Sequence, residues 1–336
     1  MPFLTLRSAL LAKLESAEGT NALPTAVLDA IVTVGNPTVA VNPEELDRGI
    51  SNPSLSKWGF VVGMKDQTVT FSTELKGPGR SLSAASPLRE DPLFRACAMV
   101  PTYAVSSATY NFGTSMASAS VSATCTIYAW QDGICHILKG CRGSFDLDLA
   151  DGQYGKINWE FKGIYDSVPF GTAAGDIIDN ALPSPTYDAI SILPQPFMGA
   201  TFQMHGYNSM AAQQLTLKVD NNVQRRESFV AANGIAGMLI TERSVTGTIN
   251  PEAVPRATHD FFYKHQTGAQ SMMTFLYGAA SPTIWQQIQV KAPGTQYRVP
   301  KYGDRNGIRT FEIDFMCARS AATGDDELQI IYLTPA

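Results

Sequence analysis

Two aspartates, Asp146 and Asp148, stand two residues apart in FDLDLADGQYGKINWEF, residues 145–161. Residues two apart on a β-strand lie on the same face, roughly 7 Å from each other, and glycoside hydrolases use paired carboxylates at comparable separations. General acid catalysis needs one carboxyl group in an apolar pocket, which raises its pKa. Both aspartates instead fall on the polar stripe of the segment. We therefore favour a solvated strand face over an acid hydrolase and predict that the protein is not an enzyme.

The other candidates for chemistry carry no complete motif. The four histidines stand in separate contexts, beside neither a nucleophile elbow nor a zinc-protease helix. Cys135, His136 and Cys141 are not accompanied by a CxxC pair, so structural thiols are favoured over a zinc site. KGPGRS (76–81) lacks the register of a phosphate-binding loop, and TGDDEL (323–328) lacks the alternating ligands of a calcium loop. We predict no catalytic, cofactor-binding or metal-binding residue, and no cofactor.

The composition limits the classes of partner. The chain has 336 residues and a net charge of −5, and 16% of its residues are charged, against about 25% in an average soluble domain. Such a surface suits packing against other protein, whereas tight nucleic-acid binding needs clustered Lys and Arg. The sequence contains no apolar run of about 18 residues and no leader pattern, so we expect a soluble, unexported protein and no membrane partner. Its five cysteines favour reduced, buried thiols.

Alternation of apolar and polar residues is the main structural signal. In residues 145–161 it continues on both sides of a Gly-containing turn, which predicts a β-hairpin with one buried and one wet face. In LTLRSALLAKLESAEGT (4–20), leucines spaced by four predict a short amphipathic helix, followed by an extended arm over about 36–57. Asp91 and Pro92 predict the start of a second short helix, and ATHDFFYKHQTG (257–268) predicts a third.

The two halves of the chain show the same order of signals. Residues 171–196 are rich in small residues, Pro and Asp, which predicts a linker between a first domain, 1–170, and a second domain, 197–336. The shared order favours an internal duplication over a chance similarity of two β-rich halves, and the predicted fold class is mainly β (α+β). Three pairs of segments match across the linker: KDQTVTFSTEL (65–75) with TERSVTGTI (241–249), DPLFRACAM (91–99) with HDFFYKHQT (259–267), and KINWEFKG (156–163) with TFEIDFMC (310–317).

Four segments of the first half resemble a known family. They are RSALLAKLESAEGTNALPTAVLDAI (7–31), VTFSTELKGPGR (69–80), SPLREDPLFRACAM (86–99) and GCRGSFDLDLADGQYGKINWEFKGIYDSVP (140–169). Together they resemble the tail tube proteins, or major tail proteins, of long-tailed, non-contractile bacteriophages. Residues 197–336 match only through the internal similarity. The resemblance implies two tandem tail-tube-like β-sandwich or barrel domains, each with a short flanking helix.

The resemblance also implies a function. The chain would be a structural subunit of the virion tail, a late protein that self-assembles in the host bacterial cytoplasm into stacked rings. The rings would form a hollow conduit for genome passage during genome ejection, with DNA only as transient passing cargo. A duplicated domain implies a homo-oligomer of three chains that imitates six, and the alternative is a ring of six chains. A tape-measure protein and tail-end or terminator proteins are the other expected partners.

The polar strand faces are candidates for the wall of the bore. An acidic or neutral wall would let phosphate groups slide, whereas a lysine-lined wall would hold them. Stacking between rings is expected of the extended arm and of NPEAVPRATH (250–259). A different class of function, a β-rich virion decoration or ligand-binding module, stays open. The candidate lumen-facing positions are Asp146, Asp148, Asn158, Glu160, Thr310, Glu312 and Asp314.

Overall fold

Strands make up most of the molecule. The computed structural model describes residues 4–51, 53–114, 123–165, 177–179, 182–187, 192–208, 210–231, 233–278 and 286–333. Within these ranges, strands contain 55% of the residues of the chain and two short helices contain 4%, which confirms the predicted mainly β fold class.

The two halves contain similar series of elements. The first half contains β1 (Ser8–Leu14), β2 (Ala30–Ile31), β3 (Thr38–Leu46), β4 (Val61–Glu74), α1 (Asp91–Ala96), β5 (Met99–Ala104), β6 (Ser107–Phe112), β7 (Cys125–Gln131), β8 (Ile134–Ala150), β9 (Lys156–Ile164) and β10 (Ile177–Asp179). The second half contains β11 (Thr201–Met204), β12 (Ala212–Glu227), β13 (Ile235–Pro251), α2 (Phe261–Gln266), β14 (Ser271–Tyr277), β15 (Gln287–Tyr297), β16 (Lys301–Arg305), β17 (Ile308–Ala318) and β18 (Gln329–Leu333).

One sheet, here called the shared sheet, runs through both halves. Its strands follow the order β3, β4, β9, β8, β12, β13 and β17, and the end of β15 and then β16 lie along the far side of β17. The halves meet where residues 145–150 of β8 pair with residues 214–219 of β12. The first parts of β8 and β15 pair instead with β7 and β14, in an outer layer. The main hydrophobic core contains residues from both halves.

The β8–β9 hairpin has the predicted faces. Phe145 pairs with Trp159 and Leu147 pairs with Ile157, and all four side chains are buried. Helix α1 packs over them through Phe94, whose ring centroid lies 5.0 Å from that of Trp159 and 5.7 Å from that of Phe145. The alternation predicted this hairpin because the core covers only one of its faces.

The predicted N-terminal helix over residues 4–20 is wrong, because residues 8–14 form β1. All of Ala9–Ala12 are buried, since β1 is covered on both faces. Leu10 belongs to the main core, while Leu11 packs with Tyr128 and Trp130 on the outer side. A strand covered on both faces carries a continuous apolar run, within which leucines four apart imitate a helical stripe. The two other predicted helices are confirmed by α1 and α2.

The pairing scheme of the first half recurs in the second. β4 pairs with β9 as β13 pairs with β17. Val69 of β4 lies opposite Phe161, and Gly247 of β13 lies opposite Phe315. These two phenylalanines hold the same place in KINWEFKG and TFEIDFMC, so these two segments match in the sheet as well as in sequence. For KDQTVTFSTEL and TERSVTGTI the shared Val-Thr aligns Val69 with Val245, which is two residues from the Gly247 that the sheet places opposite Phe315.

Two of the register shifts in each half fall at matching places, whereas the shifts between residues 139 and 142 of β8 and at both ends of β12 have no counterpart. Val39 pairs with Val69, and the β3–β4 register shifts four residues further on, after Pro43. Leu217 pairs with Gly247, and the β12–β13 register likewise shifts four residues further on, after Asn221. A second pair of shifts lies between residues 125 and 127 of β7 and between residues 271 and 273 of β14. The recurrence thus extends to irregularities that a β-rich composition alone does not produce.

The expected linker, residues 171–196, contains one described strand. Residues 177–179 form β10, which pairs with the first part of β8. Leu182 and Tyr187 pack on the outer side of β1 and β7. Residues 171–176, 180–181 and 188–191 lie outside the described residues.

Candidate functional site

The side of the shared sheet that faces away from the core carries most of the predicted polar positions. Alternate residues of β8, β9 and β17 point to the core, which turns their polar neighbours outward. Thr310 differs, because it is buried between strand neighbours Gly303 and Glu252. The other six positions are half-buried or exposed: Asp146, Asp148, Asn158, Glu160, Glu312 and Asp314.

Two adjoining depressions form the surface that we call the polar face. The first has a volume of about 720 Å³ and the second about 530 Å³, and Asp146, Asn158 and Lys218 line both. Asp146 of β8 lies directly opposite Lys218 of β12, so the junction between the halves crosses the middle of the polar face. Ser72 of β4 donates a 2.7 Å hydrogen bond to Asn158 of β9. Asp314 of β17 lines the second depression, so predicted positions from both halves share one surface.

Negative charge is in excess on the polar face. Burial raises the pKa of Asp146 above its usual range, Lys218 acts against this, and Asp220 and Glu160 raise the pKa further. Among the described residues that line the two depressions there is neither histidine nor cysteine. The arrangement therefore forms a polar, charged surface on which acidic side chains outnumber basic ones. The charged residues are Asp146, Asp148, Glu160, Asp220, Glu242 and Asp314, with Lys162, Lys218 and Arg298.

The centre of the polar face was missed in the sequence. LTLKVD (215–220) predicts a strand by its alternation, and the polar residues of that strand are Thr216, Lys218 and Asp220. The segment itself does not indicate that β12 pairs with β8, which lies about 70 residues earlier in the chain. This pairing places the polar side chains of β12 beside Asp146. The available signal was the polar alternation itself, continued in Thr246 and other residues of β13.

The residues that suggested metal or acid–base chemistry lie elsewhere. His205 and His259 are buried near Tyr297, and burial lowers the pKa of each histidine to about 4. All five cysteines are free and buried, and the burial agrees with the prediction. In the described ranges, no three His, Cys, Asp or Glu side chains are grouped so that they could hold a metal ion. Over those same ranges, no helix has both the length and the apolar character that crossing a membrane requires.

Comparison with known proteins identifies one family. The model of the phage tail tube protein family matches residues 5–317. The match extends through the second half, where the sequence resemblance depended on internal similarity alone. No curated protein gives a significant match to the chain.

Proposed function

Because this chain belongs to the phage tail tube protein family, we propose that its copies assemble into stacked rings whose hollow bore conducts the phage genome. The family is structural, so the chain is a protein of the virion tail and not an enzyme. Membership in the family also implies self-association into a tube. Beyond family membership, we propose that the copies form rings, that the polar face lines the bore, and that DNA moves along this face without binding tightly.

The observation that carries the proposal is the continuity of the polar face across both halves. The opposite side of the same strands packs in the hydrophobic core, so the shared sheet has one apolar side and one polar side. A sheet of this kind, continued through further copies, would enclose water on its polar side and leave no exposed edge. We assign six of the predicted positions to the wall of the bore: Asp146, Asp148, Asn158, Glu160, Glu312 and Asp314. Thr310 lies in the same strand below that surface.

The charge of the polar face suits passage of DNA without tight binding. Carboxylates repel the phosphate backbone, whereas a lysine-rich wall would retain it by releasing counterions. The basic side chains of the face are fewer, and one of them, Lys218, lies opposite Asp146. DNA is accordingly a passing cargo in this proposal and not a ligand.

We further propose that the chain carries two tandem tail-tube domains, 1–170 and 197–336, joined by residues 171–196. The recurring strand pairs, the two matched register shifts and the short helix that each half contains among its described residues support this division. Two domains in each chain would let three chains supply the six repeated units of a ring, and six chains is the alternative. The mass of a single ring distinguishes the two.

Contacts between stacked rings are assigned to the extended arm and to residues 250–259. The β3–β4 hairpin exposes Leu46, Trp58 and Phe60 beyond its register shift. Exposed apolar side chains close together mark surfaces that contact other protein. The tape-measure protein, the proteins at the tube ends, late expression, assembly in the host cytoplasm and a role in genome ejection are proposed from the family alone.

Negative-stain microscopy of the concentrated full-length protein tests the assembly. We expect rings or tubes with an axial channel, because the open sheet needs further copies to close. A strictly monomeric protein at every concentration, with its partner tail proteins present, contradicts the proposal. A stable monomer that binds a small ligand would instead favour the decoration or ligand-binding module.

The charge of the bore has its own test. The variant Glu160→Lys/Asp314→Lys places two positive charges on the polar face, and its assembled tubes should retain added double-stranded DNA more strongly than wild type at low salt. Asp151→Lys/Glu227→Lys makes the same change in net charge on exposed residues that do not line the polar face. Equal retention by the two variants would argue against the assignment of the polar face to the bore.

A further inference from the structure

The shared sheet has two open edges at its opposite ends. Among the described residues, β3 pairs only with β4 and β16 pairs only with β17. An edge strand presents unpaired backbone N–H and C=O groups, which readily pair with a strand of another molecule. Apolar side chains stand at both edges, since Val41 of β3 and Tyr302 of β16 are exposed.

The junction between β8 and β12 shows how such edges are closed inside the chain. β8 is the last strand of the first half in the shared sheet, and β12 is the first strand of the second half. Leu147 lies opposite Leu217 in antiparallel pairing, and both side chains are fully buried. The polar neighbours Asp146 and Lys218 lie opposite each other on the polar face.

β16 holds the same place in the second half as the end of β8 holds in the first. Leu147 of β8 lies opposite Ile157 of β9, and Tyr302 of β16 lies opposite Phe311 of β17. Ile157 and Phe311 are the second residues of the matching segments KINWEFKG and TFEIDFMC. Tyr302 is therefore the counterpart of Leu147.

β3 holds the same place in the first half as β12 holds in the second. Val39 pairs with Val69, which in turn pairs with Phe161. In the same way Leu217 pairs with Gly247, which pairs with Phe315. The matched register shifts four residues beyond Val39 and Leu217 fix the same alignment independently. Val39 is therefore the counterpart of Leu217.

We propose that β3 of one copy pairs antiparallel with β16 of a second copy in the register of the β8–β12 junction. Val39 then lies opposite Tyr302, and Ala40 lies opposite Lys301. The contact is heterologous, so each copy offers one edge to each of two neighbours and a closed ring uses every edge. The inference rests on the proposed function and names the surfaces by which its rings close.

Exposure at the open edges fits this pairing. Tyr302 is 65% exposed and Val41 is 36% exposed, whereas their counterparts Leu147 and Val219 are both 0% exposed at the internal junction. Equivalent positions are thus buried where a partner strand is present and exposed to solvent where it is absent. Pairing with a second copy would cover them, and it would continue the polar face from Lys301 to Ala40 without a break.

Disulfide cross-linking of the full chain tests the register. In the double variant Ala40→Cys/Lys301→Cys the new thiols should stand directly opposite between copies, about 5 Å apart at Cα, which allows a disulfide. The matched controls Thr38→Cys/Lys301→Cys and Asn42→Cys/Lys301→Cys move one thiol two residues along the same face. Their diagonal separation of about 7–8 Å is too long for a disulfide. The variant Asp146→Cys/Lys218→Cys should give the same bond within one chain.

We expect mild oxidation to convert Ala40→Cys/Lys301→Cys into linked dimers and larger chains, about tenfold more than either control, because only this pair meets disulfide geometry. Assemblies that form without this cross-link, or with equal linking in the controls, would overturn the register while leaving the proposed function intact. A wild-type protein whose mass in solution is that of a monomer at every concentration would overturn both. Linking within one chain only would likewise exclude a contact between copies.

Discussion

The two long hairpins of the molecule, β3–β4 and β12–β13, begin alike and end in different surroundings. Beyond its register shift β12–β13 lies against the first half, where Val223 and Met238 pack with Ile164. Arg142 donates a 2.8 Å hydrogen bond from Nε to the carbonyl oxygen of Met238. Beyond its own shift β3–β4 extends into solvent and exposes Trp58.

The difference shows that one strand arrangement can be completed either within the chain or by another molecule. In the second half, the hairpin and its neighbouring strand edge are covered by the first half of the same chain. In the first half, β3 has no second partner strand among the described residues, and the β3–β4 hairpin is covered only near its shift, where Met64 packs against the cluster of Val223 and Met238 and Glu44 lies 3.8 Å from Arg225. Equivalent positions should therefore respond differently to mutation according to what covers them.

The strongest test of this comparison is truncation of equivalent residues at the covered and the open edge. Leu147→Ala removes a fully buried side chain, and we expect it to lower the free energy of unfolding by about 2–5 kcal/mol. Tyr302→Ala at the open edge should change it by less than about 1 kcal/mol, because most of that side chain is in solvent. Urea unfolding of dilute, unassembled protein measures both values.

Tyr302→Ala, the variant with the smaller effect on the free energy of unfolding, should have a clear effect on assembly. At concentrations where wild type forms rings, the Tyr302→Ala protein should need a higher concentration to assemble although its fold is intact. A Tyr302→Ala protein that assembles like wild type would break the comparison, since the open edge would then contribute nothing to contacts between copies.

Much of this arrangement could be read from the sequence where one face of a strand is covered and the other is wet. The hairpin of Phe145 and Trp159 was predicted for this reason, and so were five positions of the polar face. β1 was not predicted, because packing of Leu10 and Leu11 on opposite faces removes the alternation. The β8–β12 pairing was not predictable either, since it joins residues about 70 positions apart without any local signal.

A second test concerns one position where the halves differ in side chain. Val69 in the first half corresponds to Gly247 in the second. A Cβ atom at Gly247 would lie 2.6 Å from the carbonyl oxygen of Thr216 and against the ring of Phe315. Gly247→Ala should therefore lower the free energy of unfolding by about 1–3 kcal/mol, because the crowded atoms must move. Thermal or urea unfolding measures the loss.

The matched control for that variant is Gly59→Ala, where nothing lies within 4 Å of the added Cβ atom. Its unfolding free energy should stay within about 0.5 kcal/mol of wild type. A Gly247→Ala protein as stable as the control would mean that Phe315 can move away freely. The second half would then accept a side chain at position 247, as the first half does at Val69.

A third test uses pH, because the surroundings of α1 and α2 hold buried groups of opposite kind. His205 and His259 lie near α2, and burial lowers the pKa of each to about 4, with Lys264 adding to the effect. Unfolding restores the ordinary pKa of about 6.5, so the unfolded chain binds more protons between pH 6.5 and 4. Stability is complete above pH 6.5 and falls as the pH drops toward 4. Because solvent screens part of the effect, we expect a loss of about 1–2 kcal/mol for the two histidines together.

Asp91 in α1 should act in the opposite direction. Burial raises its pKa, although Arg95 and a hydrogen bond from Tyr110 oppose this, so protonation of Asp91 favours the fold as the pH drops. Urea midpoints at pH 7 and pH 4.5 separate the two contributions. His205→Phe/His259→Phe should flatten the acid loss, whereas Asp91→Asn should steepen it by removing the opposing gain. If both variants changed the slope in the same direction, the two helices would not stand in opposite electrostatic surroundings, and the comparison of the halves would fail at this point.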